Sequence, residues 1–378
     1  MTSFLESNYG LLLDPFDQSV ATLDQALLYI AGRQKEKDQW TRIIQTRRGQ
    51  RGNSLNFFIG EYGLGKTFSL YCIYAQFKDD PELLVRYIKF LPEDTISRFG
   101  VDFVQRIFRA VGAEYMRTKL DPEPLQRIKR VCPEPAIVFT RLLSGSPLAR
   151  VFLSGEAPLT KKELQQLGVI RKLDKTEVAK EYLLVFLVLL KYVGVESLIL
   201  AVDEVEYVFS QMRGAKLSNV INTLRDFYDL PQSLQASALG MPLANMIWFL
   251  AISEGGWENL KQLERSEQKK GGPIQALFSR REPDPIVLTP LVEAEAVQLI
   301  ELRLKRNRLE GKIMEQPLIP YSLDFPKYVF ELTRGNPRDI IKICDYILLD
   351  GLQQHVPLLT IDFAKRALES RGLPTEPA

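Results

Sequence analysis

Histidine is almost absent from this chain: His355 stands alone among 378 residues. That excludes His-rich metal centres and argues against a histidine-based triad. The residue reads as a surface position near a helix end. Cysteine is scarce as well. Cys72, Cys132 and Cys344 are scattered and form no metal-type pair. They read as buried, reduced thiols of a cytoplasmic protein, not as a disulfide framework. No basic flank followed by an apolar run opens the chain, so a secretory leader is not expected. The most apolar stretch, residues 182–190, is interrupted beyond its end by Lys191 and Glu196. It is too short to cross a bilayer, so a core helix is expected and a membrane partner is not. The formal net charge is only +2, and any nucleic-acid surface must therefore be a local patch. No internal repeat or low-complexity tract is present.

Against these absences, one stretch stands out. Residues 57–68 form an apolar run that breaks into a glycine-rich turn and then opens a helix. Gly60, Gly65, Lys66 and Thr67 fit the phosphate-loop pattern G-x-x-x-x-G-K-[ST]. Glycines let successive backbone N–H groups turn inward around an anion, and the helix N-terminus behind them adds partial positive charge. The loop Gly60, Glu61, Tyr62, Gly63, Leu64, Gly65, Lys66, Thr67 and Phe68 is thus a candidate ATP cradle. Lys66 is expected on the β- and γ-phosphates and Thr67 on Mg²⁺. The apolar strand before the loop and the helical run after it (residues 55–59 and 68–77) fit the same context.

Around that loop the pattern alternates between strands and helices. Helix is expected over 22–48, 101–116, 161–166, 175–192 and 216–228, with an irregular or helical insertion around 118–195. Strand is expected over 84–90, over the run from Glu196 to the acids at 203–206, over 246–252 and over 285–289. Such alternation gives an α/β fold with a parallel sheet and helices on both faces. After Pro290 only helical spacing remains, over 293–309, 326–333, 337–349 and 361–369. The expected division is a nucleotide-binding domain at 1–290 and a small all-helical domain at 291–378.

Several residues are candidates for chemistry at the carboxyl edge of that sheet, where such folds bind ligands. Asp203, at the end of an apolar strand, would hold Mg²⁺. Glu204 would orient and polarise the attacking water. Ser253, just past the next buried strand, could touch that water or the γ-phosphate, and Glu254 could substitute. One of Arg280 and Arg281 would act as an arginine finger across a subunit boundary, because a planar guanidinium suits phosphate oxygens. Asn336 and Pro337 suit the start of a helix, which would let Arg338 swing onto the γ-phosphate. The basic second half of the first helix reads either as a solvated face or as an anion patch.

These residues, in this order, resemble the AAA+ ATPases, specifically the initiator branch of origin-recognition and replication-licensing proteins. In that resemblance Gly60–Thr67 is Walker A, residues 198–204 are Walker B, Ser253 is sensor 1, Arg280/Arg281 the finger, and residues 335–338 sensor 2. Pro15-Phe16 and Gly32-Arg33 look like that branch's adenine-side segment. It implies an AAA+ P-loop fold with a five-stranded sheet and a helical lid, ATP and Mg²⁺ as cofactors, and a homo-oligomer with sites between subunits. Residues 152–156, 161–169 and 203–206 are similar to the P-loop ATPases of BREX-type phage-exclusion clusters. The chain departs from the initiator pattern in two ways. Thr67 and Asp203 are 136 residues apart, which implies an insertion, and no room is left for a winged-helix DNA-binding domain after the lid. Two readings follow. One is a motor or switch acting on DNA or a DNA-bound partner, in phage defence or mobile-element control. The other is an ATP-dependent scaffold that recruits a nuclease or transposase, with slow hydrolysis as a timer. A monomeric signalling NTPase would have no use for a finger in trans.

Overall fold

The computed structural model describes residues 4–17, 23, 26–91, 98–210, 215–267, 285–310 and 316–377. Arg280 and Arg281, the expected finger pair, lie outside the described residues. The chain divides into two compact units: residues 1–38, 60–75 and 287–378 in one, residues 39–59 and 76–286 in the other.

The sheet consists of β1 (Ser54–Ile59), β2 (Leu83–Lys89), β3 (Ser197–Asp203), β4 (Asn245–Ile252) and the two-residue β5 (Ile286–Val287), in the order β2-β3-β4-β1-β5. The pairs β2–β3, β3–β4 and β4–β1 are parallel. Every residue of β3 and of β4 is buried. A strand covered on both faces carries an unbroken apolar run instead of an alternating one, which is why both were visible in the sequence. Each fully buried aliphatic or aromatic side chain contributes about 1.5–3 kcal/mol. Register decides what gathers at the carboxyl edge. Ile59 lies opposite Ile252, Val202 opposite Leu250, and Lys89 opposite Asp203. Three central strands therefore finish nearly level, and β1 leads directly into Gly60.

Much of the same unit is helical. Helix α4 (Phe99–Val111) buries eight of its thirteen residues. The expected single helix over 101–116 is interrupted at Gly112, whose φ of +82° ends α4 before α5 (Ala113–Lys119) starts. Residues 118–160 are more ordered than their proline content suggests. Pro133 and Pro147 open α7 (Pro133–Leu143) and α8 (Pro147–Ser154) at positions where the missing N–H costs nothing. Thr160 and Glu163 form a reciprocal capping box for α9 (Lys161–Leu167). The run at 182–190 lies in α10 (Thr176–Tyr192), where all nine of its residues are buried. A short helix, α13 (Leu234–Leu239), was not expected. It is capped by Ser233 and ended by Gly240 in the left-handed region.

The strand expected to end at the Asp203-Glu204 pair stops at Asp203, Glu204 turns into the left-handed region, and a helix, α11 (Val205–Ser210), begins at once.

The expected helix over 22–48 is broken among the described residues into a 3-10 turn at Ala26–Tyr29 and α2 (Gln34–Arg47), which starts in the other unit and continues into the sheet unit. Gly32 and Arg33 hold φ of +62° and +60° and cannot continue a right-handed helix. The C-terminal helices are α15 (Glu293–Arg306), α16 (Phe325–Thr333), α17 (Pro337–Gln353) and α18 (Ile361–Ser370). Their core joins Phe16 to Tyr321 and Phe325, whose rings stack 4.3 Å apart. Buried Arg303 donates to the Pro15 carbonyl at 2.9 Å and so binds the lead-in to α15. His355 is exposed and follows the end of α17, as expected.

Candidate functional site

The phosphate loop is built on glycine geometry. Gly63 and Gly65 hold φ of +89° and +93°, where a side chain is strained. Lys66 opens α3 (Lys66–Phe77) and folds back over the loop, donating to the carbonyls of Gly60 at 2.8 Å and Glu61 at 3.1 Å. Those carbonyls hold the ammonium above the glycine turn. Leu64 is buried and anchors the loop from beneath. Arg33 donates to the Leu64 carbonyl at 3.0 Å and to Glu36 at 3.2 Å. The segment flagged beside Gly32 thus supports the loop through its backbone.

The start of α17 lies against the same loop. Asn336 accepts from the Arg338 N–H at 3.1 Å and donates to the Tyr62 carbonyl at 3.0 Å. The Arg338 guanidinium lies over the Tyr62 ring, 4.4 Å from its centre. Leu291 donates its N–H to the Gly335 carbonyl at 2.8 Å, fixing the turn that precedes α17. A cradle of this kind, with an ammonium above a glycine turn and a guanidinium beside it, fits a polyphosphate chain.

The carboxylates are ordered separately, in the unit that holds the sheet. Asp203 is 2% exposed. Its Oδ1 accepts from the Glu204 N–H at 3.0 Å and its Oδ2 from the Tyr87 hydroxyl at 2.8 Å. Tyr87 was not among the expected site residues. It stands two positions before Lys89, the register partner of Asp203, so it shares the Asp203 face of the sheet diagonally. Only the register reveals it. Glu204 is half-buried with φ of +58°. Ser253 accepts from the Gly256 N–H at 3.2 Å and caps α14 (Glu254–Glu267). Its hydroxyl hydrogen remains available to donate. Glu254 becomes the first residue of that helix.

Burial pushes the thiols of Cys72 and Cys132 up to about 12 and about 11 and raises that of Cys344 as well, disfavouring the thiolate. Among the described residues no group of three or more His, Cys, Asp or Glu side chains could hold a metal ion by itself. A cation here would take one or two protein ligands plus phosphate oxygens, as Mg²⁺ does with nucleotides. The hydroxyl of Thr67 in one unit and the carboxylate of Asp203 in the other are each a ligand type used in such coordination.

A parallel five-stranded sheet, a glycine loop leaving β1 into a helix, acids at the end of β3 and a following helical bundle are the AAA+ P-loop fold. One solved structure bears out this fold, and two others are similar more loosely. The ORC2 protein of Aeropyrum pernix, in its ADP form, is similar over 94% of this chain and 71% of its own, with 13% identity and a TM-score of 0.51. CDC6p of Pyrobaculum aerophilum is similar over 95% and 72%, at 14% identity and 0.48. Drosophila ORC bound to DNA is similar over 95% and 68%, at 11% identity and 0.41. No family model and no curated protein matches the chain.

Proposed function

We propose that this protein is a Mg²⁺-dependent ATPase of the initiator type that works as an oligomeric switch or motor on DNA or a DNA-bound partner. The observation that carries the reading is the phosphate loop: Lys66 poised over Gly60 and Glu61, with Arg338 of the neighbouring helix beside it. Backbone N–H groups of residues 60–68 and the Lys66 ammonium bind the phosphates. Thr67 and Asp203 hold the cation, which neutralises charge on the phosphate oxygens when bound. Glu204 takes the proton of the attacking water, Ser253 donates to that water or to the γ-phosphate, and Arg338 bonds the γ-phosphate. Arg280 or Arg281 reaches the site of a neighbouring subunit. Residues 1–290 form the nucleotide-binding domain and 291–378 the lid.

The DNA reading draws on charge. Residues 118–195 hold thirteen basic and eight acidic side chains, while the whole chain carries only +2. The helical insertion thus concentrates positive charge suited to phosphate contacts. The likeness of residues 152–169 and 203–206 to phage-exclusion ATPases suggests a role in defence, and three buried thiols suit the reducing cytoplasm.

Mass measurement of the particle, with and without a non-hydrolysable ATP analogue and duplex DNA, tests this reading alongside turnover. We expect nucleotide-dependent assembly, turnover lost in Arg280→Ala or Arg281→Ala with binding kept, and DNA binding that weakens with salt. A monomer with full turnover in both single variants and the double would remove the subunit-shared site. Partner binding that requires ATP yet survives Glu204→Gln would favour the scaffold over the motor.

A further inference from the structure

Tyr62 is the third residue of the phosphate loop, and its side chain is 72% exposed. The loop pattern leaves this position open, so phosphate binding does not require an aromatic ring there. The ring has a partner all the same. The Arg338 guanidinium lies over its face, 4.4 Å from the centre, where the electron-rich ring attracts a cation. The backbone of the same residue is held too, since its carbonyl accepts from Asn336, which also caps the helix carrying Arg338. The approach is close enough to exclude a side chain at the next position. A Cβ on Gly63 would come within 2.6 Å of Asn336 Oδ1 and 3.1 Å of the Arg338 Cβ. Arg338 is exposed, but its guanidinium does not extend freely into solvent. It is docked on the very loop that would bind the triphosphate.

We propose that Tyr62 holds Arg338 in reserve, so that its ring competes with the third phosphate of a nucleoside triphosphate for the guanidinium. Tyr62 is then a positioning residue that sets how strongly the protein distinguishes triphosphate from diphosphate. The inference rests on the nucleotide-binding reading above. The magnitudes fix the direction. An exposed cation–π contact favours its docked state by about two- to fivefold. A charge-assisted bond from guanidinium to phosphate is stronger. Phosphate therefore displaces the ring, at a reduction in apparent affinity of about that factor. On this proposal a diphosphate stops short of Arg338 and is not penalised.

The test is calorimetric titration of ADP and a non-hydrolysable ATP analogue into full-length wild type, Tyr62→Leu, Tyr62→Phe, Arg338→Ala and the double variant Tyr62→Leu/Arg338→Ala. The expected result has four parts. Tyr62→Leu binds the analogue about two- to fivefold tighter. Its ADP affinity is unchanged. Tyr62→Phe, which keeps the ring face, behaves as wild type. With Ala at 338, removing the ring changes nothing. Equal shifts for both nucleotides, a weaker analogue complex in Tyr62→Leu, or an effect that persists in the Arg338→Ala background would each overturn the proposal. Wild type that binds both nucleotides with no response to Tyr62→Leu overturns this inference alone. Wild type that binds neither overturns the nucleotide reading with it.

Discussion

Gly63 and Glu204 both carry a positive φ, +89° and +58°, but they reach it on different terms. Glycine has no Cβ and adopts that conformation without steric cost. A glutamate there gives up about 1–2 kcal/mol, and its neighbours must impose the conformation. At Glu204 the neighbours are visible: its N–H is tied to Asp203 Oδ1, the Tyr87 hydroxyl holds the other oxygen, and α11 starts immediately behind. The loop presents backbone N–H groups and relaxes into place by composition. The strand end presents side chains and is held by its surroundings. Residues held in sparsely populated regions gather at functional sites, and Glu204 is the residue assigned to water.

The largest expected effect tests the strained side of this comparison. Glu204→Gln keeps the shape of the side chain but loses the base, so turnover should fall by about 10²–10⁴-fold while calorimetric ATP binding changes less than about twofold. Retained turnover would leave Glu204 strained for no catalytic purpose. On the loop side, Lys66→Ala removes a charge-assisted donor and should weaken ATP by about 100-fold; unchanged affinity would contradict the phosphate-loop assignment. Gly63→Ala asks whether the loop can tolerate what the strand end tolerates. A Cβ there is strained at φ +89° and meets Asn336, so chemical denaturation should show a loss of about 1–2 kcal/mol.

Smaller effects refine the picture. Tyr87→Phe removes one hydrogen bond to Asp203, about 1 kcal/mol. The Mg²⁺ concentration giving half-maximal turnover should rise about fivefold, and folding stability should fall by about 1 kcal/mol. A titration identical to wild type would make the Tyr87 contact incidental to metal binding. Outside both sites, burial and the neighbouring Asp14 and Asp17 push the Asp345 carboxyl up to about 6 against the opposing pull of Arg371. A raised carboxyl pKa means the folded state binds the proton more tightly. Stability from this group is present at low pH and is lost as pH rises from about 4 through 6. Asp345→Asn should therefore raise the thermal midpoint at pH 7–8 and have little effect near pH 4. A gain independent of pH would show that charge is not the cause.

Much of the arrangement was legible before any coordinates. β3 and β4 announced themselves because burial on both faces demands an unbroken apolar run. The loop did so because phosphate binding demands glycine and lysine at fixed spacing. What stayed hidden depended on partners distant in sequence. Tyr87 looks like an ordinary strand residue until register sets it diagonal to Asp203. Asn336 reads as a helix cap, and its second bond, to Tyr62, follows from packing alone. The helix over 22–48 was read too long because its apolar spacing crosses Gly32 and Arg33, whose left-handed backbone periodicity does not register. The left-handed turn at Glu204 was equally invisible, because a turn made by a non-glycine residue leaves no mark in composition.

By itself the sequence determined the alternation of strands and helices, the phosphate loop and the acids that end β3, because these follow from local chemistry and from periodicity along a few neighbouring residues. Tertiary structure alone decided the register that joins Tyr87 to Asp203, the left-handed turn at Glu204 and the docking of Arg338 on Tyr62. Each of those is a balance between a local backbone preference and contacts with residues up to a few hundred positions away. Only the folded chain brings both sides of that balance together.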